Sequence, residues 1–195
     1  MTTNESMDAL RAGCAACSRC GLCEGRRQTV FGTGSCQTPL MLVGEGPGEQ
    51  EDLQGEPFVG RAGHLLDDML AIIGLSRADV YIANIVKCRP PRNRDPLGVE
   101  QDACIGWLRR QTALLRPKII VCLGRIAAAR IIREDFKITR EHGQWVTRAG
   151  VQMMAVYHPA ALLRDPGRRP EAFDDFKSLQ AKIREICERT TVNDL

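Results

Sequence analysis

The sequence predicts an α/β protein, a three-layer α/β/α sandwich built around a central four-stranded parallel sheet. Four short apolar runs have the length and composition of buried strands, and they span residues 40–43, 80–86, 119–123 and 151–157. Segments with helical periodicity lie between these runs and after the last one. Strands that alternate with helices favour a parallel sheet whose two faces are both covered by helices.

The helical segments have recognisable ends. Residues 62–73 place apolar side chains on one broad face, and Gly74 can end this helix. The second helix spans residues 99–115 and stops before a proline, which could not continue it. Residues 126–133 form a short third helix, and the amphipathic residues 171–188 form the last one.

Composition and charge place the chain among globular proteins of one domain. Its 195 residues suffice for a single domain, which we expect to span residues 1–195 with flexible ends at 1–13 and 189–195. The formal net charge of +3 does not by itself indicate a polyanionic partner. No apolar stretch approaches the ~18 residues of a membrane span, and residues 1–13 contain no apolar run of a signal peptide. We therefore expect a cytoplasmic monomer with no membrane partner.

Unusual residues follow three of the four predicted strands. A glycine-rich segment with an acidic residue, 44–48, follows the first strand, and Asn84 to Cys88 end the second. His158 and Pro159 follow the fourth strand. Because ligands of parallel sheets bind outside the carboxyl ends of the strands, these residues are expected to form one site.

The glycine-rich segment does not fit a dinucleotide-binding loop. Glu49 stands where the third glycine of that motif is required, and Pro47 lacks the N–H that a phosphate needs. The carboxylates of Glu45 and Glu51 would also repel a pyrophosphate. A small neutral ligand is a better fit, with a carboxylate that activates or positions water.

Two sets of cysteines fit a metal site, and their spacing hardly separates them. In a cytosolic chain, nine cysteines favour metal binding over disulfides. Four lie at three-residue spacing near the N-terminus and would suit a ferredoxin-like electron carrier: Cys14, Cys17, Cys20 and Cys23. The other set joins distant segments: Cys17, Cys20, Cys88 and Cys104. Either an iron–sulfur cluster or zinc suits four thiolates, and a zinc site would suit a nucleic-acid-binding module without activity.

Taken in order, these motifs resemble family 4 uracil-DNA glycosylases, the iron–sulfur type of bacteria and archaea. The resemblance extends from about Cys17 to Leu179, and its most specific segments are 44–52, 57–63, 84–91 and 158–164. It implies a DNA repair enzyme that flips uracil out of single- or double-stranded DNA and hydrolyses its N-glycosidic bond, leaving an abasic site. Such an enzyme would work in the cytoplasm at the nucleoid.

The same resemblance implies the ligands of the metal site. It places a [4Fe–4S] cluster on Cys17, Cys20, Cys88 and Cys104, with the other N-terminal cysteines as extras. The cluster is then structural, because it holds a basic loop beside the site. The related branch that traps uracil-DNA covalently has a histidine in the loop before the second helix. Residues 92–97 contain no histidine, so turnover is expected instead.

Three catalytic side chains are implied by the resemblance. Glu45 would position water and balance the charge of the cationic sugar, and His158 would donate a hydrogen bond to uracil O2 as negative charge develops there. Asn84 would read the uracil edge, since its amide can accept from N3–H and donate to O4.

Further residues are implied to bind the substrate. Phe58 would stack on the flipped base, Glu51 would exclude the thymine methyl group, and main-chain N–H groups near Gly46 would assist. Leu162 or Leu163 would fill the gap left in the DNA. Phosphate contacts are expected from five basic side chains: Lys87, Arg89, Arg92, Arg94 and Arg164.

Overall fold

The computed structural model describes residues 3–187, which form one six-stranded sheet with helices on both faces. The strands lie in the order β1-β3-β2-β4-β6-β5 across the sheet. Their bounds are Thr33–Gly34 (β1), Leu40–Gly44 (β2), Tyr81–Asn84 (β3), Ile119–Leu123 (β4), Val146–Arg148 (β5) and Val151–Val156 (β6). The α/β class is therefore confirmed.

The sheet is mixed, and it has two more strands than predicted. β2 pairs in parallel with β3 and β4, and β4 pairs in parallel with β6. At the two edges, β1 and β5 pair antiparallel with β3 and β6. These edge strands have only two and three residues. Such short segments carry no apolar run, and pairing with a longer neighbour defines them.

Helices occupy both faces and most of the connections. Their bounds are Thr3–Ala15 (α1), Leu22–Gly25 (α2), Glu49–Gln54 (α3), Arg61–Ile72 (α4), Gly98–Leu115 (α5), Arg125–Ile131 (α6), Ile138–Glu141 (α7), Pro159–Arg164 (α8) and Arg169–Ile186 (α9). Within residues 3–187, no helix is both long and apolar enough to cross a membrane. The predicted helices correspond to α4, α5, α6 and α9, with ends shifted by one or two residues where the structure describes them.

Two hydrophobic cores lie on opposite faces of the sheet, because alternate strand side chains point to opposite sides. On β2, Met41 and Val43 pack with α1, α5 and α6, whereas Leu40 and Leu42 pack with α4 and α9. All four of these strand side chains are buried. The strands therefore read as continuous apolar runs, as expected for a sheet covered on both faces.

The N-terminal segment differs from the expectation of a flexible end. The sequence predicts flexible residues 1–13, of which the structure describes 3–13; these lie in α1, which packs against α5 and buries Met7 and Leu10 in the core. Met7, Leu10 and Cys14 lie three and four residues apart, which places them on one face of the helix, and all three are buried. The expectation for residues 189–195 lies outside the described residues.

Candidate active site and cysteine cavity

A groove of about 600 Å³ opens at the carboxyl ends of the parallel strands. Its lining includes Glu45 after β2, Asn84 at the end of β3, Gly124 after β4 and His158 after β6. The strand that follows β2 in the chain, β3, lies on one side of β2, and the next strand, β4, lies on its other side. The strand order therefore reverses at β2. Ligands of open α/β sheets bind at such a reversal of strand order. The structure thus brings together Glu45, Asn84 and His158, as the sequence predicts.

The carboxylate of Glu45 lies in an environment that favours its protonated form. The pKa of Glu45 is raised to about 7, chiefly by burial and also by the neighbouring Asp95 carboxylate, whereas Arg125 and Arg164 oppose the shift. Arg125 also forms an ion pair with Asp95. Sequence reasoning missed Asp95 and Arg125, since one lies in an arginine-rich loop and the other begins α6.

Asn84 lies at the floor of the groove with an unsatisfied acceptor. Only 1% of the residue is exposed, and its Oδ1 accepts no hydrogen bond from any residue within 3–187. A side chain at Gly44 would overlap with this oxygen and with the ring of Phe58. Glycine at the end of β2 therefore leaves the space in which both side chains lie.

Phe58 forms one wall of the groove from a constrained backbone. Its φ of 55° lies in the left-handed region, which non-glycine residues seldom adopt. Arg77 donates hydrogen bonds to the carbonyl oxygens of Pro57 and Phe58 and so holds this loop. The Phe58 and His158 rings are 5.6 Å apart between centroids, so they border the same part of the groove.

His158 is held as a neutral imidazole with a defined tautomer. Its Nδ1 accepts a hydrogen bond of 3.1 Å from the Ala160 N–H at the start of α8. The pKa of His158 is lowered to about 4, chiefly by burial and also by the Arg164 charge, while the Glu51 carboxylate opposes the shift. With Nδ1 acting as acceptor, the proton of the neutral ring lies on Nε2, which is left as a donor.

Glu51 lines the groove, but its carboxylate is already engaged. It accepts hydrogen bonds from the N–H groups of Val59 and Gly60 at 2.9 Å each and of Gly48 at 3.1 Å. These bonds tie the loop before α4 to the glycine-rich loop before α3. Gly46 also lines the groove. Glu51 therefore organises the two loops in addition to standing beside the ligand space.

Two of the side chains predicted to contact DNA are buried, and the structure contradicts that role for both. Lys87 is 1% exposed, and its ammonium donates to the Asn84 carbonyl oxygen and to Gln111 Oε1. Leu162 is also 1% exposed, because α8 packs this side chain into the core beside α4. The sequence alone does not say which of several neighbouring basic or apolar side chains points inward.

The other predicted DNA-contact residues lie at the surface. Leu163 is half-buried and Arg164 is exposed on α8, while Arg92 is exposed in the loop before α5. Arg89 and Arg94 are half-buried in the same loop. Their charges are partly offset, since Arg94 pairs with Glu100 at 2.6 Å and Arg89 lies 3.6 Å from Glu49.

A second cavity is lined by six cysteines from three parts of the chain. They are Cys14, Cys17, Cys20, Cys23, Cys88 and Cys104. The four cysteines of each candidate ligand set thus face one space, and all six are free thiols. No group of three or more His, Cys, Asp or Glu side chains within residues 3–187 has the geometry to hold a single metal ion.

Hydrogen-bond donors surround the cysteine sulfurs. Arg26 donates to Cys88 Sγ at 3.3 Å, and the Trp107 indole N–H donates to Cys17 Sγ at 3.4 Å. The Lys87 main-chain N–H donates to Cys104 Sγ at 3.2 Å. N–H groups directed at sulfur are typical of thiolates that ligate an iron–sulfur cluster, so the donor set fits such a group. Sequence reasoning did not identify Arg26 and Trp107 as neighbours of this site.

Comparison with known proteins places the groove and the cavity in a family context. A sequence model of the Uracil DNA glycosylase superfamily matches residues 31–180, which is most of the chain. This range includes the groove residues and two of the cavity cysteines, but it begins after the N-terminal cysteines.

Curated relatives match a larger part of the chain. A type-4 uracil-DNA glycosylase of Archaeoglobus fulgidus is 47% identical over 191 residues, covering 94% of each chain. A type-4 enzyme of Thermotoga maritima is 41% identical over 168 residues, covering 84% of this chain and 86% of its own. A type-5 uracil-DNA glycosylase of Pyrobaculum aerophilum is 34% identical over 152 residues, covering 69% of this chain and 67% of its own.

Proposed function

We infer that this chain, which belongs to the uracil-DNA glycosylase superfamily and within it to the type-4 family, excises uracil from DNA as a repair enzyme. It hydrolyses the N-glycosidic bond of a flipped uridine and leaves an abasic site. The observation that carries this function is the groove, where a carboxylate, an amide and a neutral imidazole meet at the ends of three strands.

The amide of Asn84 supplies the recognition of uracil. Its buried, unsatisfied Oδ1 is an acceptor without a partner, and uracil presents a donor at N3–H. Cytosine has an acceptor at the same position, so two acceptors would face each other in a buried site. Leaving buried polar groups unpaired costs about 1–3 kcal/mol each, which favours uracil over cytosine.

His158 and Glu45 act on the two charges that develop as the bond breaks. The electron pair of the N1–C1′ bond leaves with uracil, and the Nε2–H of His158 donates to O2, where negative charge accumulates. Because the pKa of His158 is about 4, the ring stays neutral throughout the ordinary pH range, with Nδ1 accepting from Ala160 and Nε2–H free to donate. Glu45 stabilises the cationic sugar and orients the water whose oxygen bonds to C1′. The proton of that water passes to Glu45 or to solvent.

The remaining groove residues shape the space for the base. Phe58 offers a ring face for stacking, which contributes about 1–3 kcal/mol per base in related sites. Glu51 stands where it can exclude the methyl group of thymine, and the main-chain N–H groups near Gly46 are further donors. We assign these roles because all three residues line the same groove.

DNA would be bound along the rim of the groove. Leu163 is the remaining candidate for the side chain that fills the gap in the stack, and Arg164, Arg89, Arg92 and Arg94 are candidates for phosphate contacts. Such contacts carry no sequence preference, and they suit single- or double-stranded DNA. We propose that the chain acts as a monomer of one domain, residues 1–195, on DNA at the nucleoid in the cytoplasm.

A [4Fe–4S] cluster is the metal group that fits the cysteine cavity best. The cavity gathers thiols from three parts of the chain. N–H groups of Arg26, Trp107 and Lys87 donate to three of these sulfurs, as is typical of thiolates that ligate such a cluster. We propose Cys17, Cys20, Cys88 and Cys104 as ligands. When bound, the cluster would cross-link the N-terminal segment to Cys88 in the loop after β3 and to Cys104 on α5.

The function is tested by excision from a single-uracil oligonucleotide, with alkali to cleave abasic sites and a thymine oligonucleotide as control. We expect cleavage of the uracil strand alone, slowed roughly 100-fold or more by Asn84→Ala and by His158→Ala. His64→Ala, at an exposed position on α4, is the matched control and should retain wild-type activity. A cluster-loaded wild-type protein that releases no uracil would refute the proposal.

A further inference from the structure

We propose that Lys87 is a positioning residue, which holds the main chain of Asn84 so that the amide side chain faces the groove. Through its own main chain, Lys87 also ties this orientation to the cysteine cavity. The proposal rests on the proposed function, because it concerns the residue that reads uracil. It replaces the DNA contact that the sequence led us to expect of this lysine.

The Lys87 ammonium is directed at the last residue of β3. Its Nζ donates to the Asn84 carbonyl oxygen at 3.0 Å and to Gln111 Oε1 at 2.7 Å. The peptide that follows Asn84 is held on both sides, since its carbonyl oxygen accepts from Lys87 and its N–H, that of Ile85, donates to the Gly44 carbonyl oxygen at 2.9 Å. Together with the Gly44 bond, the charged donor on this carbonyl fixes the peptide plane that follows the Asn84 Cα, which carries the amide side chain.

Gln111 holds the ammonium in place. It is fully buried on α5, and its Nε2 donates to the Phe31 carbonyl oxygen and to the Tyr81 hydroxyl at 2.9 Å each. The amide is thus oriented by two acceptors, which leaves its oxygen directed at Lys87. Lys87 Nζ also lies 5.8 Å from the centre of the Phe31 ring. The ammonium is therefore held where it donates to both the Asn84 carbonyl oxygen and Gln111 Oε1.

A charge in this place is costly unless the hydrogen bonds offset its loss of hydration. Within residues 3–187, no carboxylate forms an ion pair with Lys87, and its side-chain hydrogen bonds go to neutral oxygens. An apolar side chain would avoid this loss of hydration, but it would leave the buried Gln111 Oε1 without its donor. We infer that the lysine is present for what its ammonium orients, which is the Asn84 peptide.

The main chain of the same residue belongs to the cysteine cavity. The Lys87 N–H donates to Cys104 Sγ at 3.2 Å, its carbonyl accepts from the Val30 N–H at 2.8 Å, and Cys88 follows it directly. One residue thus contacts the cavity with its backbone and the floor of the groove with its side chain. A change in how the cysteines are held would reach Asn84 through Lys87.

The first test compares Lys87→Met with Lys118→Met in cluster-loaded protein. Lys118 is a matched control, because its Nζ also donates to a carbonyl oxygen, that of Ile186 at 3.1 Å, at an exposed site. We expect Lys87→Met to slow single-turnover excision roughly 10- to 100-fold, as for loss of a charge-assisted hydrogen bond. Affinity for uracil-free DNA and its salt dependence should match the wild type, since a buried lysine contacts no phosphate.

The second test is a double-mutant cycle with Asn84→Ala. If Lys87 acts through Asn84, Lys87→Met should slow excision little further once the amide is gone. Inhibition by free uracil should also weaken in Lys87→Met, in proportion to the loss of rate. Multiplicative effects of the two substitutions would overturn the inference, as would a Lys87→Met protein that behaves like Lys118→Met.

Folding is followed by iron content, visible absorbance and thermal unfolding of each variant. If Lys87→Met does not load or fold, the same cycle is run with Lys87→Gln, which keeps an uncharged N–H donor of shorter reach. Multiplicative effects with Asn84→Ala, or behaviour like that of Lys118→Met, would overturn the inference for this variant as well. A wild-type protein without uracil release would refute the proposed function and this inference together, whereas wild-type activity in Lys87→Met refutes the inference alone.

Discussion

Glu45 faces the groove between one carboxylate and two guanidinium groups, and burial together with these neighbours sets its charge. The pKa of Glu45 is raised to about 7, chiefly by burial and also by Asp95, and Arg125 and Arg164 oppose the shift. The Arg125–Asp95 ion pair holds the second carboxylate beside the first. Because the proposed role of Glu45 needs the ionised form, excision should increase as the pH rises through about 7.

Replacing Asp95 by asparagine should move this pH dependence. The negative charge of Asp95 disfavours ionised Glu45, so Asp95→Asn should lower the Glu45 pKa. The acidic limb of the rate profile then shifts to lower pH, by about half a unit or more, and the rate at acidic pH increases. Single-turnover excision measured from about pH 5 to pH 9 gives the apparent pKa directly.

Asp102→Asn is the control for that experiment. Asp102 also pairs with an arginine, Arg130, but it lies on the exposed surface of α5 outside the groove. Its profile should coincide with the wild type. An acidic limb that stays in place in Asp95→Asn, or moves to higher pH, would contradict the assignment of this limb to Glu45.

At the scale of single elements, α8 separates two adjacent leucines by their direction. Leu162 packs into the core with α4, whereas Leu163 is half-buried beside exposed Arg164. The helix begins at Pro159, and His158 caps it. The same short helix therefore anchors itself in the core, carries the side chains that we propose to contact DNA and fixes the histidine of the groove.

Alanine at each of the two leucines should have different consequences. Leu162→Ala should lower the free energy of unfolding by about 2–5 kcal/mol, as for other buried leucines. Leu163→Ala should leave stability unchanged and slow excision from duplex DNA about tenfold. The reason is that the side chain that fills the gap left by the flipped base is lost, which removes about 1.4 kcal/mol of stabilisation. Excision from single-stranded DNA should change little, because no gap has to be filled. Equal losses on both substrates would argue against a wedge at Leu163.

α1 is a second element whose role only packing reveals. Leu10 is 3% exposed against α5, whereas Leu53 on α3 is 41% exposed. Leu10→Ala should therefore lower the free energy of unfolding by about 2–5 kcal/mol, and Leu53→Ala should change it by about 0.5 kcal/mol or less. Denaturant unfolding of cluster-loaded protein measures both. Equal stabilities of the two variants would indicate that α1 is dispensable for the core.

At the scale of the whole molecule, the groove and the cysteine cavity share one segment of chain. Asn84 ends β3, Cys88 follows four residues later, and Cys104 lies on α5. The four N-terminal cysteines line the same cavity as Cys88 and Cys104. A cluster that joins the N-terminal cysteines to Cys88 and Cys104 would close a long loop, and long loops restrict the unfolded chain more than short ones. Such a cross-link should therefore stabilise the fold.

Single Cys→Ala variants should separate the two candidate ligand sets. Cys88→Ala and Cys104→Ala should lower iron content and the temperature of unfolding, whereas Cys23→Ala and the loop variant Cys36→Ala should keep both near wild type. Iron and sulfide analysis with thermal unfolding measures these effects. Retention of the cluster in Cys88→Ala, with loss in Cys23→Ala, would instead support the N-terminal set and the electron-carrier reading.

The sequence by itself determined the α/β class, the positions of the inner strands and the presence of Glu45, Asn84 and His158 in one site. Apolar periodicity is local, and the carboxyl ends of parallel strands necessarily meet at one edge of the sheet. These features therefore needed no knowledge of distant contacts.

Only the tertiary structure decided which basic and apolar side chains point inward. It buried Lys87 and Leu162, placed Asp95 beside Glu45, packed α1 on α5 and added β1 and β5 to the sheet edges. Each of these outcomes depends on a partner distant in the sequence, such as Gln111 for the ammonium of Lys87. Burial and pairing are properties of two surfaces in contact, and one segment of sequence specifies only one of them.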